Sequence, residues 1–204
     1  TISETKTFNT PVTIKPGATF RMKPGTSLVF RNHLVVEGTK DKPVQVIPEY
    51  PTQLWGVFAI YGEKASNSRI SNLHLSRGTG QTIDGVRYVA MFSIHDTNNI
   101  HVDNLKLRDN KNFDDTMHVI YSNNIRVKDS SVTGAFADAI DVDMSTISFE
   151  NIIIKGAGND AIDLMTSSAV INKVRLLNSK DKGVSVGEGS TALLINSIVS
   201  ENEI

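Results

Sequence analysis

Apolar and polar positions alternate in short runs along this chain. Val12-Thr13-Ile14, Ala18–Met22, Ser27–Phe30, Leu34–Val36 and Val44-Gln45-Val46 each fit a strand with every second residue turned to a core. Lys15-Pro16-Gly17, Lys23-Pro24-Gly25 and Glu37-Gly38 separate them, and such pairs mark turns. No helical period holds for more than a turn or two.

From residue 68 the pattern repeats. Ser68–Leu75, Ile100–Leu107, Ile125–Val132, Ile147–Ile154, Ala169–Leu176 and Ala192–Val199 align, with starts 32, 25, 22, 22 and 23 residues apart. A second block recurs in phase: Phe92–Ile94, Met117–Val119, Ile140–Val142, Ile162–Leu164 and Val184–Val186. Each repeat therefore holds three short strands in about 22–25 residues and is too small to bury its own apolar side. Stacked repeats must share one core, which predicts a solenoid. Asn72, Asn104, Asp129, Asn151, Lys173 and Asn196 fall between the second and third strands of each unit. Asn accepts the left-handed backbone of a sharp bend. Stacking sets these side chains roughly 4.8 Å apart, so amides can bond from coil to coil as a ladder.

Coil period, three-strand coils and this Asn ladder resemble the pectin-lyase-like superfamily of right-handed parallel β-helices. The resemblance spans essentially the whole chain. It implies an all-β, single-domain fold over residues 1–204, with N-terminal capping coils in 1–50 and regular coils in 51–204. The last coil stops at Ser200–Ile204, where another first strand is expected. That end reads either as truncated or as a place of contact for a partner. A leucine-rich repeat, the rival at this period, needs a helical segment that is missing.

Composition narrows the function. The 21 Lys+Arg and 22 Asp+Glu leave a net charge of −1, which argues against a nucleic-acid partner. No apolar run approaches the length of a membrane span. There is no cysteine for disulfides or thiolate-bound zinc.

Candidate chemistry sits on the first strand of each coil. If Met117, Val119, Ile140, Val142, Ile162 and Leu164 face the core, the residues between them face out. That column reads Ser93, His118, Asp141, Asp163 and Ser185, with His95 (or Asp96) and Asp143 two positions further on. Neighbouring carboxylates about 5 Å apart call for a bound cation, a raised pKa or splayed side chains. Oxygen ligands from Asp141, Asp143 and Asp163 suit Ca²⁺. Asp138 and Asp160, at the turn into the strand, are expected to cap amides two residues on. The long loops Ser76–Ala90 and Arg108–Asp115 are expected to overhang one edge of this face. Trp55 is expected in the core or as a cap.

Enzymes of the resembled superfamily that act on acidic polysaccharides use either Ca²⁺ with a basic residue or paired carboxylates. Carried onto this chain, that implies His118, Asp141, Asp163, Arg87 and Arg108 as catalytic candidates. Arg77, Tyr88, Lys111 and Asp115 become candidates for holding substrate. The Trp-Ile-Asp-His motif of pectate lyases and the Gly-His-Gly motif of polygalacturonases are not present. The expectation is an extracytoplasmic protein (secreted, periplasmic or on the cell surface) that binds, and processes, polysaccharide on an acidic face. The alternative is a non-catalytic structural, adhesion or assembly module.

Overall fold

The computed structural model describes residues 1–203. The chain winds through eight coils, and each coil adds one strand to each of three eight-stranded parallel sheets. The first sheet runs from Lys6–Phe8 to Val184–Val186, the second from Val12–Ile14 to Thr191–Ile195, and the third from Thr19–Met22 to Ile198–Ser200. Strands of three to six residues suffice because each is paired with a neighbouring coil, and between the first and last coils on both sides. One short 3₁₀ turn, Glu63–Ala65, is the sole helical element among the described residues.

The alternation in the sequence becomes an inside and an outside. Met117, Val119, Ile140, Val142, Ile162 and Leu164 are buried in the shared core. Phe8, Phe30, Phe58 and Phe92 stack through the N-terminal half, with successive ring centroids 4.9, 4.8 and 5.9 Å apart. Trp55 is fully buried, and its indole Nε1–H donates to the Ser76 carbonyl at 2.8 Å.

Corners between sheets must turn the backbone sharply. Asn72, Asn104, Asp129, Asn151, Lys173 and Asn196 all have positive φ, between 49° and 56°. Side-chain bonds link Asn104 to Asn72, and Asn151 to Asp129, across successive coils. The corner between the first and second sheets carries a serine series that the sequence reading did not single out. The amides of Thr97, Ser122, Ser145 and Ser167 donate to the hydroxyls of Ser122, Ser145, Ser167 and Ser190, each one coil further on. Buried amides at a corner thus find partners where no strand ladder reaches them.

The long segment Ser76–Ala90 does not overhang the face as a wall. It forms an antiparallel hairpin, Gln81–Ile83 with Val86–Tyr88, laid flat on the outside of the first sheet. Ile83 and Tyr88 bury Val29, Val57 and Ala59 beneath them. Its two-residue turn is Asp84-Gly85, both at positive φ, the dipeptide that hairpins of this kind favour. That signal was present in the sequence. The outer face is consequently covered over the early coils and open over the later ones.

Candidate active site

Strand register sets the outward column. Ala59, Ser93, His118, Asp141, Asp163 and Ser185 pair in sequence along the first sheet. Beside it run Tyr61, His95, Ile120, Asp143 and Met165. Ser93, His95 and His118 are buried although they point out of the coil, because later side chains and the hairpin cover them. Asp141, Asp143 and Asp163 are partly exposed.

The polar groups converge at His118. Its Nε2 lies 3.2 Å from Asp143 Oδ2 and 3.6 Å from Asp141 Oδ2. Its Nδ1 lies 3.2 Å from His95 Nε2. Tyr88 packs on His95, ring centroids 4.9 Å apart. One ligand atom each from His118, Asp141 and Asp143 falls within 4.8 Å of the other two.

Burial dominates the electrostatics. It pushes the Asp141 carboxyl up to about 7; His118 opposes the shift, and Asp143, Asp163 and Asp138 add to it. Asp115 heads the strand Asp115–Ile120 at 3% exposure, and burial pushes it up to about 9, with Asp141 the largest charge acting on it. Asp138 rises to about 6 for the same first reason, although hydrogen bonds from the Asp160 amide and the Asn159 side chain pull it down. His95 is driven down to about 3 by burial and then by His118. Burial likewise raises Tyr88 to about 12.

Asp138 and Asp160 differ from expectation in what they hold. Asp138 Oδ1 accepts from the Asp160 amide and Asp160 Oδ1 from the Lys182 amide, both at 2.7 Å. They bond to the next coil instead of capping their own turn. The loops lie that close: a Cβ on Gly158 would collide with the Phe136 carbonyl oxygen.

The remaining candidates scatter. Asp163 stands opposite Asp141 one coil on, outside the converging trio. Arg87 lies over the Phe113 ring at 5.8 Å, and with Asp114 these two line a depression of about 200 Å³. Arg108 is on the third sheet between Ser76 and Thr133, away from the trio. Lys111 pairs with Asp109 at 3.2 Å. Arg77 follows the third-sheet strand Leu73–Ser76 at positive φ, its Nε buried and unpartnered. His95 was not among the candidates. Its place two residues after Ser93, beside His118, follows from the period of two.

Ca²⁺ takes about six to eight oxygen ligands. The converging set offers two carboxylates and an imidazole, and Met165 occupies the position facing Asp143 in the next coil. These residues fit an all-oxygen ion poorly.

No protein-family model matches the sequence, and no curated protein matches it. Among solved structures, a "putative glycosyl hydrolase" from Parabacteroides merdae ATCC 43184 superposes with a TM-score of 0.57 at 10% identity, covering 85% of this chain and 82% of that one. The chain has a right-handed parallel β-helix fold. At that identity the likeness speaks for the β-helix alone. The catalytic domain of a GH87 α-1,3-glucanase aligns over 95% of this chain and 60% of its own, at 8% identity and a TM-score of 0.27, too distant to carry an argument. Among the described residues no helix is long and apolar enough to cross a membrane.

Proposed function

We propose that this β-helix is a polysaccharide hydrolase whose reacting groups are Asp141 and Asp143. The observation that carries the reading is the convergence of these two carboxyls and His118 within 4.8 Å, with both carboxyls partly exposed. Retaining glycosidases hold their two carboxyl groups roughly 5–5.5 Å apart. Asp141, with its carboxyl raised to about 7, is the acid. Asp143, which accepts the His118 N–H, is the nucleophile. In the first step an Asp143 oxygen attacks the anomeric carbon while Asp141 gives its proton to the departing glycosidic oxygen. In the second, water attacks that carbon, its proton returns to Asp141, and the bond to Asp143 breaks. No metal enters either step.

The open face suits an extended chain, and the depression at Arg87, Phe113 and Asp114 offers a cation beside it for a sugar bearing a carboxylate. The same reading puts the protein where such polymers are met, secreted, periplasmic or at the cell surface.

The test is incubation with acidic and neutral polysaccharides, with chelator or with Ca²⁺. New reducing ends without unsaturated products are expected, with or without the ion. Asp141→Asn and Asp143→Asn should each lower the rate about 10²–10⁴-fold. Unsaturated products would make the protein a lyase. Silence across the panel would favour a non-catalytic module.

A further inference from the structure

The strand Ala90–His95 ends in a histidine to which the steps above give no task. His95 is 4% exposed. Its ring meets that of His118 edge-on, at 89° with centroids 5.0 Å apart. Between them, His95 Nε2 and His118 Nδ1 are 3.2 Å apart. Two ring nitrogens at that distance share one hydrogen, so one donates and the other accepts.

The far side of His118 decides which. A carboxylate oxygen can only accept, so His118 Nε2, facing Asp143 Oδ2, carries hydrogen. In the neutral imidazole the other nitrogen is then bare. With His118 in that neutral form, its Nδ1 accepts and His95 Nε2 donates.

We propose that His95 is a positioning residue: its Nε2–H donates to His118 Nδ1 and holds His118 in the tautomer and orientation that donate to Asp143. The importance of that hydrogen bond rests on the reading of Asp141 and Asp143 as the reacting pair; the tautomer itself does not. His95 is in turn fixed from behind. The Tyr88 ring tilts 36° against it. Tyr88 is locked with Ile83 onto Val29, Val57 and Ala59. The hairpin thereby reaches the site through three rings in series: Tyr88, His95 and His118. It orients the site without supplying a group to the reaction. Burial, which keeps His95 uncharged, agrees with its serving as a neutral donor.

The test is nitrogen-15 NMR of the whole protein labelled at histidine, at pH 8, with the five histidines assigned by single substitution. Long-range proton–nitrogen correlations distinguish the two tautomers. His118 and His95 are both expected to carry hydrogen at Nε2. His95→Phe keeps a ring against Tyr88 but removes the donor, and His118 should then populate both tautomers. His95→Gln, whose amide N–H can donate, should restore the single one. In the hydrolysis assay His95→Phe should lower kcat about 10–100-fold with KM within about twofold, and His95→Gln should recover part of the loss. A wild-type spectrum with hydrogen on His118 Nδ1 overturns the proposal, and that spectrum decides even if a variant fails to fold. So does a His118 tautomer unmoved by His95→Phe. The expected spectra in a protein that hydrolyses nothing would instead overturn the hydrolase reading and leave the positioning role standing.

Discussion

Asp115 shows how desolvation governs the acids of this face. Its carboxyl is nearly sealed beneath the strand it begins, and it holds its proton up to about pH 9. An unfolded Asp titrates near about 3.9. The folded state therefore binds this proton more tightly. The stability it contributes is complete below about pH 4 and is lost as pH rises through about 9. Asp115→Asn, neutral at every pH, should melt like the wild type at pH 4 and above it at pH 9. A variant that melts lower at pH 9 would show that the carboxylate is used there. Asp141 adds a prediction for catalysis. An acid with its carboxyl near 7 loses its proton as pH rises through that value, so hydrolysis should fall on the alkaline side of about pH 7. A rate that holds level to pH 9 would assign the acid elsewhere. Asp141, Asp163 and His118 were legible in the sequence because a period of two places them outward. The depth of Asp115 and His95 was not, because it depends on which loops come to lie over them.

Elements were legible to unequal degrees. The Asn bends announce themselves, since few residues accept a left-handed backbone. The serine corner did not, because Ser is common in loops of every kind. Its role appears only when the Ser145 hydroxyl is seen to accept the Ser122 amide at 2.9 Å and to donate to its own coil at the Asp143 carbonyl. Ser145→Ala strands that buried amide and should lower stability by about 1–3 kcal/mol. Ser148→Ala, on the second sheet three positions later, should change it by less than about 0.5 kcal/mol. Denaturant melts of the two variants make the comparison, and equal losses would deny the corner its role. The hairpin was readable from Asp84-Gly85 between two alternating triplets. Its resting place was not, because Val29, Val57 and Ala59 lie far back in the chain.

Across the whole molecule the coils differ in how well they are sealed. Coils beneath the hairpin hold the Phe30, Phe58 and Phe92 stack with no exposure to speak of. In the last coil Leu193, Leu194, Ile195, Ile198 and Val199 are all exposed. A unit opens more readily the more of its apolar surface meets water. Amide hydrogen exchange should therefore be fastest in Thr191–Ile195 and Ile198–Ser200 and slowest in Phe58–Tyr61 and Ala90–His95. Uniform protection along the stack would mean that the coils unfold as one body. The repeat after residue 68 was legible because its spacing stays near 22–25 residues. The earlier coils were harder to phase, since Val29 pairs with Ala59 and Ala59 with Ser93 across longer excursions.

The serine corner also has a direction. Each amide is answered by a hydroxyl from the coil that follows it. A ribosome releases the chain amino end first, so a newly made coil waits, with its corner amide open, for roughly another twenty residues to emerge. At every moment of synthesis the growing stack is one coil short of closure at this corner. Each corner amide is therefore sealed only once the coil after its own is in place.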